Sequence, residues 1–148
     1  MTVQTIADSG LYISAGIPAT LDEAGYAALT FTKIGEITNL GSRGRTYTIV
    51  SHLPIDSRRA EKYKGSYDEG DPDYSLAIDK ADAGQILATT ARDSDDDYSF
   101  KEVTQDGAID NFMGKVTAFT RAGGGTDDID AGTITIAINS DVVEVAAP

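Results

Sequence analysis

The stretch RGRTYTIVSHLPIDSRRAEKYKGSYDEGDPDYSLAI, residues 43–78, decides how the rest of the chain is interpreted. A strand-like run, 45–50, opens it, and an alternating run, 74–78, closes it. Alternation of this kind places one side of a strand in a core and leaves the other side outside. The intervening residues 51–73 show no apolar periodicity, which predicts one long connecting loop. Loops of this length inside a compact domain are usually functional or disordered.

The predicted loop is divided by charge. Four basic side chains come first and four acidic ones follow: Arg58, Arg59, Lys62 and Lys64, then Asp68, Glu69, Asp71 and Asp73. Adjacent blocks of opposite sign favour pairing with complementary patches, including patches on other copies of the same chain. A solvated surface loop without a partner is the alternative interpretation.

The remaining patterns predict mainly β-structure. Further strands are expected at 11–17, 31–39, 98–105, 109–121, 133–139 and 141–145. A short turn would let 45–50 pair with 31–39, and Asp106-Gly107 is a strong hairpin signal. In 133–139 the three isoleucines alternate with small and polar residues, so they are expected to face a core.

One substantial helix is predicted at about 80–93, with Asp79 or Asp82 as its cap. An apolar face at helical spacing indicates core packing: Ala83, Ile86, Leu87 and Ala91. A possible capping box at 20–23 predicts a second helix, which Gly25 would keep short. The sum is a single domain, 1–148, with a polar arm at 1–10 and about seven or eight antiparallel strands. A β-sandwich or open barrel with one flanking helix is the fold class that this order favours.

Charge and composition exclude several functions. The chain has 148 residues and a formal net charge of −12, of which residues 1–64 contribute +1 and residues 65–148 contribute −13. Such acidity argues against binding to nucleic acid, because basic groups supply most of the affinity of a protein for nucleic acid. With no cysteine there are no disulfides, thiolate metal sites or cysteine nucleophiles. No run approaches the roughly 20 apolar residues of a membrane segment.

The search for chemistry selects no catalytic, cofactor or metal site. His52 is the only histidine, and its neighbour Ser51 does not make a triad with it. Asp93, Asp95 and Asp97 have calcium-loop spacing, but the glycine and the closing carboxylate that such a loop needs are missing. A second acidic group, Asp127, Asp128 and Asp130, is interpreted as a solvated turn.

Several segments resemble the major tail tube proteins of long non-contractile-tailed bacteriophages. They are LYISAGIPATLDEAGYAALTFTKIGEITNLG (11–41), GSYDEG (65–70), YSLAIDKADAGQIL (74–87) and much of 98–145. The resemblance covers nearly the whole chain and keeps the order of elements. It implies a non-enzymatic virion protein with the tail tube β-sandwich fold. It also implies hexameric rings that stack into a hollow tube, through which phage DNA passes into the host without specific binding.

The resemblance also implies where the contacts lie. Residues 51–73 would reach the adjacent ring, and 1–10 and 140–148 would make further ring-to-ring contacts. The inter-ring candidates are Arg58, Arg59, Lys62, Lys64, Asp68, Glu69 and Asp71. The candidates for facing the lumen are Lys101, Glu102, Asp106 and Asp110. Acidic residues along a channel would keep DNA from adhering.

Further implications concern partners and location. The implied partners are other copies of the chain, a tape measure protein, a tail terminator and tail-tip proteins. The implied location is the virion tail, and the host cytoplasm during assembly. No C-terminal immunoglobulin-like domain is expected after residue 148.

Two other functions remain open. One is a tail terminator or a secretion-system tube ring of the same fold, and a terminator would differ from a tube protein by not polymerising. The other is a non-catalytic β-sandwich that binds calcium or carbohydrate, with Tyr63, Tyr67 and Tyr74 as the aromatic candidates. Calcium binding at micromolar level would favour that second alternative.

Overall fold

A computed structural model describes residues 3–148 as a mainly β fold, as the sequence predicts. The ten strands are β1 (Gly10–Ser14), β2 (Thr32–Ile34), β3 (Ile37–Asn39), β4 (Thr46–His52), β5 (Glu61–Asp68), β6 (Asp73–Ala77), β7 (Tyr98–Val103), β8 (Ile109–Arg121), β9 (Ala131–Ile138) and β10 (Val143–Val145). The two helices are α1 (Glu23–Ala27) and α2 (Ala83–Arg92). Neither helix of the described region is long and apolar enough to span a membrane.

Eight strands form one antiparallel sheet in the order β2-β1-β7-β8-β9-β6-β3, with β10 paired to the first part of β8. β7 and β8 form the predicted hairpin, with Phe100 opposite Phe112. Its turn contains Gly107 at φ 93°, a backbone conformation that glycine adopts without steric cost. β4 and β5 form a separate two-stranded sheet.

The prediction of one strand over 31–39 is wrong, because this segment changes partners in its middle. Ile34 pairs with Leu11 on β1, whereas Ile37 pairs with Leu76 on β6. Between them, Glu36 has a positive φ of 62°, which breaks the strand. The break joins the two ends of the sheet order, so the sheet curls around its own apolar face.

The core lies inside this curled sheet. Its fully buried members include aromatic and aliphatic side chains of every central strand: Leu11, Ile13, Tyr74, Leu76, Phe100, Phe112, Ile134 and Ile136. The predicted inward alternation of Ile134, Ile136 and Ile138 on β9 is confirmed. Each buried side chain of this size contributes about 1.5–3 kcal/mol relative to exposure, which is why alternation determines the register.

α2 packs against β8, β2 and β1. Asp82 caps it by accepting a hydrogen bond from Gln85 N at 3.0 Å. The predicted core face is partly wrong: Ala91 is buried and Leu87 half-buried, but Ala83 and Ile86 are exposed.

The buried face of α2 consists mainly of small residues and not of the predicted apolar side chains. A Cβ on Gly84 would lie 2.2 Å from Lys33 O, so this helix approaches the sheet too closely for a larger side chain. Gln85 donates to Gly35 O at 3.1 Å and to Ala77 O at 2.9 Å. Backbone proximity and these hydrogen bonds, rather than hydrophobicity, set the rotation of α2.

α1 is short, as predicted, but Thr20 does not cap it. Asp22 is the cap, and its carboxylate accepts from Gly25 N at 2.8 Å and from Thr20 Oγ1 at 2.7 Å. These two hydrogen bonds lower the pKa of Asp22. Tyr26 of α1 and Asn111 of β8 lie on the side of the sheet that faces away from α2.

Candidate assembly surface

Residues 51–73 are not one loop. β4 and β5 form an antiparallel hairpin, with Val50 opposite Tyr63 and His52 opposite Glu61. The predicted pairing of 45–50 with 31–39 is therefore also wrong. The connection between β4 and β5 is residues 53–60. The hairpin has no apolar periodicity because neither of its faces is buried, so no face selects apolar residues.

The β4–β5 hairpin is exposed along its whole length. All residues of β5 are exposed, and in β4 only Tyr47 is partly covered. Six large apolar or aromatic side chains on the hairpin face solvent: Ile49, Val50, Leu53, Ile55, Tyr63 and Tyr67. A two-stranded hairpin is marginally stable alone in water, and contiguous exposed apolar surface marks interaction sites. The hairpin is accordingly the main candidate interaction surface.

The cross-strand pairs divide the hairpin into two faces. Lys64 lies opposite Ile49, and Lys62 lies opposite Ser51, so both lysines share one face. Lys64 Nζ lies 4.8 Å from the centre of the Tyr47 ring on the other strand. The opposite face carries the Val50–Tyr63 pair. Four predicted contact residues are thus brought to one hairpin, with Lys62 and Lys64 on its basic face and Arg58 and Arg59 in the connection 53–60.

The base of the hairpin is fixed by ionic and aromatic contacts. Arg45 Nε donates to Glu69 Oε1 at 2.5 Å, and its guanidinium lies 4.2 Å from the centre of the Tyr67 ring. Tyr67 Oη donates to Asp141 Oδ1 at 2.9 Å. Among the predicted inter-ring residues, Glu69 is buried in this base.

The other two acidic contact candidates lie at the same end of the hairpin. Asp68 ends β5 and accepts from Gly70 N at 3.1 Å. Asp71 is exposed just beyond it. The basic and acidic blocks are therefore separated along the hairpin, with the basic block towards its tip.

Arg43 connects the hairpin to the interior of the main sheet. Its Nε donates to Glu102 Oε2 at 3.1 Å, and its Nη2 contacts Asp110. Tyr74 Oη donates to the same Glu102 oxygen at 3.1 Å, and the guanidinium lies 5.5 Å from the centre of the Phe112 ring.

The electrostatics of this cluster follow from its burial. Burial opposes the charge on Arg43, but the two carboxylates outweigh it and raise the pKa of the guanidinium. Burial and the charge of Glu102 raise the pKa of Tyr74. No local sequence pattern identifies Arg43 as this anchor, because both of its carboxylate partners are distant in the chain.

The four lumen candidates do not share one surface. Glu102 and Asp110 face each other across β7 and β8 on the core side, and Glu102 is only 8% exposed. Lys101 lies on the opposite face, with Nζ 4.6 Å from the Tyr12 ring centre and 4.9 Å from that of Phe31. Asp106 is exposed in the β7–β8 turn, where hydrogen bonds from Thr104 and Ala108 lower its pKa.

Each acidic group singled out from the sequence has at least one member held in an ion pair in the part of the chain that the structure describes. Asp93 pairs with Arg92, and Asp97 accepts from Lys115 at 2.5 Å. Across residues 3–148, no group of His, Cys, Asp or Glu is arranged to hold a metal ion. Asp130 pairs with Arg121 in the turn that Asp127 and Asp128 precede.

The three tyrosines proposed for sugar stacking do not form one surface either. Tyr74 is buried in the core, whereas Tyr63 and Tyr67 are exposed at different places on the hairpin.

A groove lies between α2 and the far end of β8, and no sequence signal pointed to it. Its volume is about 480 Å³, and Ile78, Ile86 and Phe119 supply its apolar surface. Lys80, Arg92 and Arg121 lie at its rim. This cavity is called the α2 groove below.

The predicted N-terminal arm is exposed where it is described. Val3 and Ile6 face solvent, and Gln4 Oε1 accepts from Asp106 N at 3.1 Å. Residues 1 and 2 lie outside the described part of the chain. At the other end of the chain, Asp141 contacts Arg45 and Tyr67, so the 140–148 segment meets the base of the hairpin.

Comparisons with known proteins place this fold. No protein-family model and no curated protein sequence matches the chain. Several solved structures do match it. A chain from the virion of a native gene transfer agent particle superposes with a TM-score of 0.70 and 14% identity, covering 97% of this chain and 100% of that one.

Two more of the matching structures come from a tube terminator and a tail tube. A chain from the PVC sheath/tube terminator of an extracellular contractile injection system gives a TM-score of 0.67 at 11% identity, covering 99% of both chains. The SPP1 tail tube protein gives a TM-score of 0.63 at 11% identity, covering 93% of this chain and 76% of that one. The chain therefore has the tail tube-type β-sandwich fold, which these structural proteins of phage-like particles share.

Proposed function

We propose that the chain is a non-catalytic structural subunit that assembles with its own copies into a tail tube. In this proposal the subunits form hexameric rings, and the rings stack around a hollow channel through which phage DNA passes. The fold that the chain shares with tail tube and tube terminator proteins supports a structural role. The exposed β4–β5 hairpin is the single observation that carries the assembly.

The hairpin leaves large apolar side chains exposed to water. Burying an aliphatic or aromatic side chain contributes about 1.5–3 kcal/mol. Val50 and Tyr63 are exposed opposite each other on one face of the hairpin, and Ile49 is exposed on the other face. A neighbouring copy that covers the hairpin would bury these side chains and satisfy its open strand edges.

The charges of the hairpin specify the kind of surface that it meets. Arg58, Arg59, Lys62 and Lys64 make the tip half of the hairpin basic, whereas residues 65–148 carry a net charge of −13. We therefore propose that these four residues dock on an acidic surface of the adjacent ring. Asp68, Glu69 and Asp71 remain proposed contacts at the base, with Glu69 acting through Arg45.

A charge reversal tests this docking. Lys62→Glu with Lys64→Glu is expected to lower the yield and length of assembled tubes, since both lysines project from one exposed face. Lys33→Glu, which reverses an exposed lysine on β2, is the control and should leave assembly unchanged. Equal tube yield from the hairpin variant and the control would remove the basic hairpin face from the contact.

The channel is proposed to be acidic. A hexameric ring would carry six times the formal charge of −12, and this charge would keep DNA from adhering as it passes. Lys101, Glu102, Asp106 and Asp110 remain the proposed lumen residues. Asp106 has the most accessible of the three carboxylates, whereas Arg43 already neutralises much of the charge on Glu102 and Asp110.

The remaining partners follow from the tube role. We propose that a tape measure protein, a tail terminator and tail-tip proteins contact the assembled tube, and that no cofactor takes part. The proposed location is the tail of the virion, with the subunit in the host cytoplasm before it assembles.

Negative-stain electron microscopy of concentrated purified protein, with light scattering of the same sample, tests the function. Hollow tubes or stacked rings with a central bore are the expected result. A tube subunit that needs a template would remain monomeric alone, so the same sample is also examined after tail-tip complexes are added. Protein that forms no tube in either condition would contradict the tube role.

A tail terminator is the second candidate, and one observation favours it. The chain and the PVC sheath/tube terminator cover each other over 99% of their lengths, whereas the match spans only 76% of the SPP1 tail tube protein. A terminator ends a tube and does not polymerise. Single rings that bind the end of preformed tubes, without growth of new rings, would support this role.

A further inference from the structure

We propose that the tip of the hairpin of one copy inserts Ile55 into the α2 groove of another copy. This inference rests on the proposed self-assembly and names the two surfaces that meet. The same chain carries both an apolar projection and an apolar cavity, and neither is filled within the described subunit.

The projection is the connection between β4 and β5. Ile55 is fully exposed, and Leu53 is 63% exposed. A turn, closed by the hydrogen bond from Ser57 N to Pro54 O at 3.2 Å, places Ile55 and Asp56 at its centre. Two aliphatic side chains at the end of a hairpin have no intramolecular core to enter, so burial requires another molecule.

The cavity results from the way in which α2 packs. The small and buried residues Gly84, Ala88 and Ala91 face the sheet, which turns Ile86 outward to an exposure of 53%. Ile86 then faces Ile78 and Phe119 across the groove. An aliphatic side chain from a second copy would cover this exposed apolar surface and complete the packing that α2 leaves open.

The charges beside the projection and beside the groove are complementary. Asp56 follows Ile55 directly, and Lys80 lies at the rim of the groove before α2 begins. Within residues 3–148, neither Asp56 nor Lys80 has an oppositely charged side chain within 4.0 Å. Docking of Ile55 would therefore bring together an acid and a base that form no close ion pair in the subunit, although the charge of Lys80 acts on Asp130 at longer range.

A second complementary pair lies at the other end. Arg58 and Arg59 follow Asp56 in the tip, while exposed Asp95 and Asp96 follow the end of α2. The ten residues of α2 span about 15 Å. The backbone from Asp56 to Arg59 can span at most about 10 Å, and the turn and bends in this segment shorten it, so the two long arginine side chains must supply the remaining reach. The acid-then-base order of the tip thus matches a base before α2 and acids after it, which favours a second copy over an unrelated apolar partner. Arg92 and Arg121 at the rim do not break this order, because each is already paired with an aspartate of its own subunit.

Because the chain contains no cysteine, a disulfide between introduced cysteines reports this contact directly. The test variant combines Ile55→Cys with Ile86→Cys. The control combines Ile55→Cys with Leu21→Cys, since Leu21 is exposed beside α1, on the side of the sheet away from α2. Both proteins are oxidised under assembly conditions, and covalent dimers and longer chains are measured on denaturing gels.

A docked pair of cysteines has a local concentration far above that in solution, so cross-linking of the test variant should be at least about tenfold faster than that of the control. Tubes that form normally but cross-link at the control rate would overturn this contact and leave the tube role intact. Wild-type protein that forms no assembly even with tail-tip complexes would instead contradict the proposed function.

A charge exchange keeps the contact testable when the cysteine variants do not assemble. Asp56→Lys and Lys80→Asp are each expected to reduce tube yield, and the double variant should restore most of it. Circular dichroism checks that every variant is folded, as expected for two exposed side chains. Folded single variants that lose assembly without rescue in the double variant would show that these two residues do not meet.

Discussion

Arg43 donates through Nε to Oε2 of Glu102 at 3.1 Å and thereby connects the entry of the β4–β5 hairpin to the core side of β7. The same carboxylate oxygen accepts a hydrogen bond from Tyr74 on β6. Residues from three separate parts of the chain therefore meet at the carboxylate of Glu102. The position of the hairpin relative to the main sheet depends on this cluster as well as on backbone connection.

Arg43→Met tests the strength of this anchor. Without the guanidinium, Glu102 and Asp110 face each other with no positive partner, so the variant is expected to lose about 3 kcal/mol of unfolding free energy. Urea unfolding followed by circular dichroism measures the loss. Arg92→Met is the control, because the Arg92–Asp93 pair is exposed and should contribute nothing measurable. Similar losses in both variants would show that the buried cluster is not the anchor.

The buried phenol of Tyr74 is expected to make the stability of the fold depend on pH in the alkaline range. Burial and the charge of Glu102 raise its pKa, so the phenol stays neutral in the folded protein while it ionises in the unfolded chain above about pH 10. The stabilising contribution is complete below that pH and is lost as the pH rises further towards the folded pKa. The wild type should therefore lose more unfolding free energy between pH 8 and about pH 11 than Tyr74→Phe does. Parallel losses in the two proteins would rule out Tyr74 as the source.

Asp82 links a helix cap to the break between β2 and β3. Its Oδ2 accepts from Gln85 N and from Gly35 N, each at 3.0 Å. Asp82→Ala removes the acceptor of both hydrogen bonds and should cost about 2 kcal/mol, towards the upper end for a cap. Asp82→Asn keeps an oxygen acceptor and serves as the matched control, with most of the stability retained. Thermal or urea unfolding compares them, and an alanine variant as stable as the asparagine variant would contradict this role.

Gly84→Ala should reverse the usual effect of this substitution in a helix. Alanine in place of glycine normally stabilises a helix interior by about 1 kcal/mol. Here the new Cβ would lie 2.2 Å from Lys33 O, so α2 must move away from β2, at a cost of about 1–3 kcal/mol. Thr90→Ala, at an exposed position of the same helix, should be neutral or slightly stabilising. A more stable Gly84→Ala protein would mean that α2 does not approach the sheet this closely.

Substitutions on the exposed hairpin are expected to reduce assembly without reducing the stability of the subunit. Val50→Thr with Tyr63→Thr removes apolar surface from one face and places a β-branched residue, which favours strand structure, at both positions. Because neither side chain enters the core, the unfolding free energy should change by no more than about 0.5 kcal/mol. Tube yield in electron micrographs should fall. A large loss of stability would show that the hairpin contributes to the subunit core.

The strands that enclose the core could be predicted from sequence because burial imposes a period of two on them. β8 begins and ends where its alternation predicts, and the three isoleucines of β9 face inward. The sequence pattern does not predict β5, because a strand without a buried face has no period of two in its apolar residues. The sequence pattern predicts β2 and β3 as one strand, because it does not show that the chain turns at Glu36 towards a different partner strand.

The candidate site shows a similar division. Arg58, Arg59, Lys62 and Lys64 were selected from their charge alone, and the structure brings them to one hairpin. The α2 groove had no signal, because it exists only after close packing at Gly84 rotates Ile86 outward. Arg43 was also missed, since its two carboxylates lie about 60 residues away in the chain.

The β-rich fold class, the helix α2, the β7–β8 hairpin and the acidic character of the chain follow from the amino-acid sequence alone. These features depend on local periodicity, on turn residues and on composition, which act over a few neighbouring residues. The partner of β4, the rotation of α2 and the burial of Glu102 follow from tertiary contacts and have no local signal. Each of these depends on which distant backbone or charge comes within a few ångströms, and local sequence patterns do not contain that distance.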